Sequence, residues 1–299
     1  MNIFFRTTIS FFVLVSLPGM PEIFGQKNLR KEIAGIVQTA DASIGVAIMH
    51  LESGDTISFQ GSVHFPMQSV YKFHLALAVL AAVENGKLSL DQKVLIRQED
   101  FFPNTVSQIA EKYPKGNVEL TIEELLFYTV ATSDNNGCDI LFRMLGGPDK
   151  VQDYIHALGI TDVAIVNTEA EMHRDWNAQF NNWTTPKATV NLLNLFYQNK
   201  ILSSRSTALL VKIMEQTSTG KHRIKGHLPA GTVVAHKTGM GGKNDIISAI
   251  NDVGIVTLPS GEHVAVAFFI ANPRNSVAEM EGVMARVSKL VFDHYLSVR

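Results

Sequence analysis

Segments with the pattern of β-strands lie near both ends of this chain of 299 residues, and a long helical stretch separates them. Near the amino terminus, SIGVAIMHLESGDTISFQG predicts a β-hairpin, because two largely apolar runs flank the turn residues from Glu52 to Asp55. Near the carboxyl terminus, TVVAHKTG, DIISAINDVGIVTLP and HVAVAFFIA predict three more strands. Strands so far apart in sequence can form one antiparallel sheet only if the helical middle is an insertion that protrudes from it.

The middle of the chain repeats apolar residues at helical spacing, for example in FHLALAVLAAV, CDILFRML and ATVNLLNLF. Further helices are predicted from Leu29 to Gln38 and from Val277 to Tyr295. We therefore predict an α+β fold in which an antiparallel five-stranded sheet is flanked by terminal helices and carries a large all-helical lobe as an insertion. The predicted sheet lobe comprises residues 26–65 and 215–299, and the predicted helical lobe comprises residues 66–214.

The first 25 residues predict a signal peptide, because Arg6 precedes an apolar run from Ile9 to Leu17 that is too short to span a bilayer. Cleavage is expected near Gly25. Cys138 is the only cysteine, so no lipid-anchoring cysteine follows the signal and no intramolecular disulfide can form. We therefore predict a secreted, periplasmic protein without a membrane anchor.

Charge and composition exclude other broad classes of function. The 26 basic and 28 acidic residues are mixed along the chain, with a net charge of −2, so no basic stripe is available to bind nucleic acid. No group of histidines and cysteines has metal-ligand spacing, so neither a metal site nor a cofactor is predicted. Cys138 lies in an apolar helical run and is expected to be a buried structural thiol. The expected partner is a small-molecule substrate, and the expected state is a monomer.

One Ser-x-x-Lys motif begins an apolar helix. Ser69 and Lys72 lie three residues apart in QSVYKFHLAL, so their side chains share one helix face. A nearby lysine of lowered pKa can take the serine proton, and a helix amino terminus favours developing negative charge. A second match, from Ser218 to Lys221, lies in a polar stretch with a glycine and is predicted to be a loop. Ser69 is therefore the predicted nucleophile.

Two further motifs follow the first one along the chain. Ser133-Asp134-Asn135 precedes a predicted helix, and Lys237-Thr238-Gly239 ends a predicted strand. Taken singly, the former is typical of a helix cap and the latter of a strand end. Together with Ser-x-x-Lys they form the signature of class A β-lactamases and penicillin-binding proteins. In motif order, spacing and layout of strands and helices, the chain after the signal resembles the class A serine β-lactamases.

This resemblance implies a serine acyl-enzyme mechanism. Ser69 would attack the lactam carbonyl, Ser133 would pass a proton to the departing nitrogen, and Asn135 would hold the acylamide side chain of the substrate. The backbone N–H groups of Ser69 and Met240 would bind the carbonyl oxygen. Lys72 is one candidate base for activating the serine, and the loop glutamate described below is the other; the sequence leaves both open.

The resemblance also implies a binding site for the substrate carboxylate. Lys237 and Thr238 would face this anion, at a strand edge that continues through Gly239. Met240 follows where many relatives carry a hydroxyl or a small residue, so its side chain cannot hydrogen-bond the carboxylate. Arg223, in HRIKGHLPAG, would add a second cation, as an arginine near this position does in some family members; a solvated surface arginine is the alternative.

A β-lactamase must also hydrolyse the acyl-enzyme, which requires a base held over a water molecule. In NTEAEMH, Glu169 fits the family pattern Glu-x-x-Leu-Asn, with Met172 in place of the leucine and His173 in place of the asparagine. Glu171 is the competing candidate, but it would put charged residues at the apolar and amide positions. The stretch from Val166 to Pro186 has no clear periodicity and exceeds normal loop length, so it is expected to be functional or disordered.

The same loop departs from the family pattern at two structural positions. Asp139 stands where most class A relatives carry an asparagine that braces the loop, and an ionised aspartate cannot donate a hydrogen bond. The peptide bond after the loop glutamate is commonly cis in those relatives and needs bracing to persist. With Asp139 and His173 in place, we predict a trans Glu169–Ala170 bond and a rearranged loop that leaves room for bulky oxyimino-cephalosporins, as in the divergent extended-spectrum branch that the chain resembles.

Two other functions stay open from the sequence alone. A penicillin-binding D,D-peptidase shares the three motifs and the acylation step, but it lacks the deacylating glutamate loop. A catalytically inactive binding module would share only the fold. Hydrolysis of penicillins and cephalosporins is favoured, because Glu169 supplies a candidate base and no membrane anchor is predicted.

Overall fold

The computed structural model describes residues 20–297, with side chains described from residue 27 onward. Residues 1–19, which carry most of the predicted signal peptide, lie outside the described residues. The first described helix begins at Met20, earlier than the predicted start at Leu29. Within residues 20–297, no helix is both long and apolar enough to cross a membrane.

Side-chain caps define where several helices begin. Thr121, Asp134, Thr185 and Ser203 each accept a hydrogen bond from a backbone N–H of the first helical turn that follows. In chain order, the helices are α1 (Met20–Val37), α2 (Tyr71–Glu84), α3 (Gln108–Lys112), α4 (Ile122–Ala131), α5 (Asn135–Leu145), α6 (Pro148–Ala157), α7 (Glu169–Arg174), α8 (Pro186–Tyr197), α9 (Ser204–Glu215) and α10 (Val277–Ser297).

The strands form one large antiparallel sheet and two small ones. In chain order they are β1 (Ser43–His50), β2 (Thr56–Phe59), β3 (Phe65–Pro66), β4 (Lys93–Arg97), β5 (Gly116–Thr121), β6 (Val163–Ala164), β7 (Trp183–Thr184), β8 (Val234–Lys243), β9 (Ile246–Thr257) and β10 (His263–Ala271). The large sheet has the order β2-β1-β10-β9-β8, so the predicted five-stranded sheet is confirmed. The first hairpin pairs with the last strand, so strands from both ends of the chain form one sheet and the helices between them are an insertion.

Each face of the large sheet covers a separate hydrophobic core. On one face, Phe268 and its alternate neighbours pack against α1 and α10. On the other face, Phe269 packs against the helices of the insertion. Adjacent residues of a strand point to opposite faces, so one apolar run such as HVAVAFFIA supplies both cores.

The inserted region contains more than the predicted helices. Strands β4 and β5 form an antiparallel ribbon, and β3, β7 and β6 form a small three-stranded sheet. The stretch from Val166 to Pro186 contains α7, a 3-10 turn at Trp176–Phe180 and β7. Strands of two residues have no periodicity to detect, which is why the sequence did not indicate them. Cys138 is fully buried on α5, as predicted, and burial raises the pKa of its thiol well above the usual value.

Candidate active site

Ser69 lies in a tight turn that delivers it to the start of an apolar helix. The 3-10 turn Gln68–Val70 leads directly into α2, most of whose residues are buried. The Asn251 side-chain amide on β9 donates to the carbonyl oxygens of Pro66 at 2.8 Å and Met67 at 3.0 Å. The sheet therefore holds the segment that precedes the predicted nucleophile.

Lys72 is fully buried and contacts all the other predicted catalytic residues. Its Nζ lies 3.2 Å from Ser69 Oγ and 2.9 Å from Glu169 Oε1. It also donates to the Ser133 carbonyl oxygen at 2.8 Å and to Asn135 Oδ1 at 2.5 Å. A single ammonium thus joins the Ser-x-x-Lys motif, the Ser-Asp-Asn motif and the loop glutamate.

The Ser-Asp-Asn motif both caps a helix and shapes the site. Ser133 has a left-handed backbone with φ +59°, a conformation that turns the chain just before α5. Asp134 caps α5 by accepting from Gly137 N at 2.8 Å, and its carboxylate also accepts from Ser107 Oγ at 2.9 Å. Asn135 donates its amide to Thr105 Oγ1 at 2.7 Å. The motif therefore has both predicted roles: Asp134 caps the helix, and Ser133 and Asn135 contact Lys72.

Lys237 on β8 faces the same space from the sheet. Its Nζ donates to Ser133 Oγ at 2.9 Å and to the Thr238 carbonyl oxygen at 2.9 Å. Burial, and next the positive charge of Lys72, lower the pKa of Lys237 well below its usual range. An anionic ligand bound beside Lys237 would oppose both effects and favour the protonated form of this lysine.

Gly239 allows β8 to run close to the nucleophile turn. A Cβ added there would lie 2.6 Å from the Met67 carbonyl oxygen and 3.3 Å from Ser69 N. The Thr238 hydroxyl pairs with Thr219 Oγ1 at 2.5 Å, so the loop that carries the second Ser-x-x-Lys match reaches the site. The next residue, Met240, is 48% exposed at the rim.

Arg223 is a buried arginine and not a solvated one. Its Nη1 donates to the carbonyl oxygens of Gly239 at 3.1 Å and Asn251 at 2.9 Å. Its Nε pairs with Glu281 at 3.0 Å, and its Nη2 lies 3.7 Å from Met240 Sδ. The guanidinium therefore holds the edge of β8 beside the predicted carboxylate site.

The two loop glutamates have different surroundings. Glu169 is buried at the start of α7, with its carboxylate on Lys72. Glu171 Oε2 accepts from Thr168 N at 2.8 Å and completes a capping box with Thr168. The structure therefore brings Glu169, and not Glu171, to Lys72.

Asp139 braces the loop even though it cannot donate a hydrogen bond. Its two carboxylate oxygens accept from Glu169 N at 2.8 Å and Ala170 N at 2.9 Å, the first N–H groups of α7. Asp139 therefore has no donor role, as predicted, but it holds the loop as a hydrogen-bond acceptor. The Glu169–Ala170 bond is trans, as predicted. Burial raises the pKa of Asp139 to about 6, against the lowering effect of these two N–H groups.

His173 does not carry the bracing role that its position suggested. It is exposed, and its contact is with the Phe102 ring, 5.5 Å away between centroids. Asn182, which is fully buried, holds the loop instead. Its Oδ1 accepts from Val166 N at 2.7 Å and Asn167 N at 2.8 Å, and its Nδ2 donates to the Asn167 carbonyl oxygen at 2.8 Å.

Sequence reasoning missed Asn182, Gln179 and Thr219, which hold the loop and the strand edge around the site. Single polar residues in a loop have no periodicity, and each resembles a solvated surface residue. A cleft of about 440 Å³ separates the loop from β8, and Gln68, the residue before Ser69, contributes to its lining. Its lining residues include Asn135, Glu169, Trp176 and Met240. No cluster able to ligate a metal occurs among residues 20–297.

Known proteins resemble this chain over almost all of its length. A model of the beta-lactamase enzyme family matches residues 28–295. Beta-lactamase VEB-1 of Pseudomonas aeruginosa is 44% identical, over 90% of this chain and 91% of that protein. Extended-spectrum beta-lactamase PER-1 of the same species is 38% identical, over 99% of this chain and 97% of that protein. The crystal structure of a β-lactamase from Chitinophaga pinensis DSM 2588 has a TM-score of 0.88 and 48% identity, covering 90% of this chain and 99% of that one.

Proposed function

Because the chain belongs to the β-lactamase enzyme family, as a class A serine enzyme that hydrolyses β-lactams, we propose that it does so through an acyl-enzyme on Ser69. One observation carries this proposal: Lys72 Nζ lies 3.2 Å from Ser69 Oγ and 2.9 Å from Glu169 Oε1. A base and a nucleophile in hydrogen-bond contact are what an activated serine requires. A penicillin-binding D,D-peptidase is the less favoured alternative.

In acylation, Ser69 Oγ forms a bond to the lactam carbonyl carbon and loses its proton to Lys72 or Glu169. The bond between this carbon and the lactam nitrogen then breaks, and the nitrogen takes a proton from Ser133. The proton that Ser69 lost replaces it on the Ser133 hydroxyl. The contact of Lys237 Nζ with Ser133 Oγ at 2.9 Å supports this role, because a neighbouring cation stabilises the hydroxyl as it gives up its proton.

The backbone N–H groups of Ser69 and Met240 hold the carbonyl oxygen as it becomes negative. The substrate carboxylate binds near Lys237 and Thr238, and Arg223 adds positive charge behind this edge. The hydrogen bonds of Arg223 to two backbone carbonyls support a second contribution, which is to fix β8 beside the nucleophile turn.

In deacylation, Glu169 takes a proton from a water molecule, whose oxygen forms a bond to the acyl carbon. The bond between this carbon and Ser69 Oγ then breaks, and Oγ takes a proton back from Glu169 through Lys72. The burial of Glu169 and its contact with Lys72 support this assignment. Asp139 and Asn182 act indirectly, by holding the segment that carries Glu169.

The decisive experiment combines turnover with mass spectrometry. Wild-type protein should hydrolyse a chromogenic cephalosporin over many turnovers, and Ser69→Ala should form no penicillin adduct. Ser218→Ala removes the serine of the second Ser-x-x-Lys match and is the matched control, which should behave as the wild type. Slow labelling by wild-type protein with a single turnover would instead indicate a D,D-peptidase, and an adduct on Ser69→Ala would overturn the mechanism.

Oxyimino-cephalosporins belong to the proposed substrates. The cleft between the loop and β8 supports this spectrum, as does the similarity to a relative named as an extended-spectrum enzyme. Purified enzyme that hydrolyses simple cephalosporins but spares oxyimino ones would contradict it.

Export to the periplasm and a monomeric state complete the proposal. The apolar segment from Ile9 to Leu17 supports export. Amino-terminal sequencing of protein recovered from the periplasm should identify a cut near Gly25. Light scattering on the purified protein should give the mass of one chain.

A further inference from the structure

Three parts of the cleft converge on one buried side-chain amide, that of Gln179. Gln179 is 5% exposed and lies in the turn Trp176–Phe180 that follows α7. Its Oε1 accepts from Gln68 Nε2 at 2.8 Å and from Ser248 Oγ at 2.6 Å. Its Nε2 donates back to the Trp176 carbonyl oxygen at 2.7 Å. We call the connected side chains of Gln68, Gln179 and Ser248 the glutamine junction.

The glutamine junction lies directly beneath the strand edge that borders the cleft. Gln68 immediately precedes Ser69 and has a left-handed backbone with φ +48°. Ser248 is buried on β9, opposite the point where the register of β8 shifts between Gly241 and Gly242. A Cβ on Gly241 would lie 2.5 Å from both Gln68 Nε2 and Ser248 Oγ. β8 therefore crosses the junction at a distance that only glycine permits.

We propose that the glutamine junction determines substrate specificity. It fixes the distance between β8 and the turn Trp176–Phe180, which we call the wall, and this distance determines how well bulky β-lactam side chains bind. This inference rests on the proposed acyl-enzyme mechanism and adds positioning residues to it. Gln179 positions the wall and Ser248 positions the strand edge. Neither is proposed to contact the reacting atoms, which is the role of Ser69, Lys72 and Glu169.

The hydrogen bonds of Gln179 connect the wall to Gln68 and Ser248. Gln179 Oε1 accepts two hydrogen bonds in a buried position, so its loss leaves a donor of Gln68 and a hydroxyl of Ser248 without their partner. Buried groups without partners are unstable, and the wall would shift until they find water or new acceptors. A bulky oxyimino side chain that spans from the wall to β8 depends on this distance. The smaller side chain of benzylpenicillin depends on it less.

The first experiment measures KM and kcat for one oxyimino-cephalosporin and for benzylpenicillin. In Gln179→Leu, we expect the ratio of the two KM values to rise at least fivefold, mainly through the oxyimino substrate. Ser248→Ala removes only one hydrogen bond and should raise the ratio about twofold to threefold. Ser288→Ala is the matched control, because Ser288 is equally buried on α10 and its hydroxyl has no hydrogen-bond partner among the described residues.

Coupling distinguishes a junction from separate structural effects. Within the Gln179→Leu background, Ser248→Ala should change the KM ratio by less than 1.5-fold, about that of the control, because its acceptor is already gone. Additive effects of the two substitutions, or equal changes of KM for both substrates, would overturn the proposal.

A second experiment reads the wall without any substrate. The chain has two tryptophans, and Trp183→Phe leaves Trp176 in the wall as the only one. In this background, Gln179→Leu should increase the quenching of Trp176 fluorescence by acrylamide at least twofold, and Ser288→Ala should not. Unchanged quenching would overturn the proposal. A wild-type enzyme that spares oxyimino-cephalosporins would contradict the proposed spectrum only, and the fluorescence result would still decide about the junction.

Discussion

Glu169 and Glu171 are two residues apart, and their neighbours give them different functions. Glu169→Ala should still acylate but should accumulate the acyl-enzyme, with deacylation slowed by roughly 10²–10⁴-fold, because it loses the base for water. Intact-protein mass spectrometry after mixing with a penicillin measures the adduct. Glu171→Ala is the matched control: it loses a capping box, costs about 1 kcal/mol of stability and should show no adduct at steady state. Full turnover by Glu169→Ala would move the base elsewhere.

Substitution of Met240 measures how much a side chain at the rim of the cleft contributes to substrate preference. Its backbone N–H is proposed to serve the carbonyl oxygen, while its side chain only approaches Arg223 Nη2 at 3.7 Å. Met240→Ser should therefore change kcat/KM for individual β-lactams by roughly twofold to tenfold, which corresponds to one hydrogen bond of about 0.5–1.5 kcal/mol. Steady-state kinetics on a panel of penicillins and cephalosporins measures this. Complete loss of acylation would show that Met240 has a role beyond its backbone.

The site residues that could be predicted from the sequence are those whose spacing along the chain places their side chains next to each other. Ser69 and Lys72 lie on one helix face, and the other two motifs add residues whose order is informative. Asn182 and Gln179 could not be predicted, because their hydrogen bonds depend on how a loop folds back on itself. The sequence does not decide whether Arg223 binds the substrate carboxylate or is a solvated surface residue, since neither its burial nor its pairing with Glu281 is encoded locally.

At the scale of elements, Asp139 connects α5 to the start of α7, and its pKa makes this connection depend on pH. Burial raises the pKa of Asp139 from 3.8 to about 6, although the N–H groups of Ala170 and Glu169 lower it. The charges of Glu169 and Lys72 have smaller and opposite effects on this pKa. A raised pKa means that the folded protein holds this proton more tightly than the unfolded chain. The stabilising contribution is therefore complete below about pH 4 and is lost as the pH rises through about 6.

Comparison with Asp139→Asn isolates this dependence, because the variant has no proton to lose at this position. Between pH 4 and pH 7, the free energy of unfolding of the wild type should fall relative to that of the variant by roughly 2–3 kcal/mol. Urea denaturation of both proteins at several pH values measures the difference. Parallel profiles for the two proteins would mean that the pKa of Asp139 is not raised.

Asn182 and Asn181 form a matched pair for testing what holds the loop. Both contact Asn167, but Asn182 is fully buried with three hydrogen bonds to loop backbone, whereas Asn181 is exposed with one bond to the Asn167 side chain at 3.0 Å. Asn182→Ala should lower the free energy of unfolding by roughly 2–4 kcal/mol and slow deacylation, since buried N–H groups lose their acceptor. Asn181→Ala should cost less than about 0.5 kcal/mol. Equal effects in urea denaturation would contradict the assignment.

The strands of the large sheet could be predicted because long apolar runs separated by turn residues are distinctive. The ribbon β4–β5 was missed although its residues alternate in burial, because its surroundings read as helical and the partner strand is nearly twenty residues away in sequence. The length of the loop from Val166 to Pro186 predicts only that it is functional or disordered. Its internal elements depend on contacts with Asp139 and Asn182, which spacing does not reveal.

At the scale of the whole molecule, the sheet separates two cores, and only one of them supports the site. Phe269 faces the inserted helices and lies 6.2 Å from the Phe65 ring, between centroids. Phe65 begins β3, the strand that leads to the turn carrying Ser69. Phe268, the preceding residue, is equally buried but faces α1 and α10. Neighbouring phenylalanines of one strand can therefore separate stability from activity.

Phe268→Leu and Phe269→Leu should each lower the free energy of unfolding by roughly 1–3 kcal/mol, because both remove buried aromatic area from a packed core. Only Phe269→Leu should also lower kcat/KM, on the order of tenfold, because a small displacement of Phe65 shifts the nucleophile turn relative to Lys72. Urea denaturation gives the stabilities, and kinetics at 25 °C, where both variants stay folded, gives the activities. Equal losses of activity in the two variants would show that the cores are coupled through the sheet, and that the site depends on the fold as a whole.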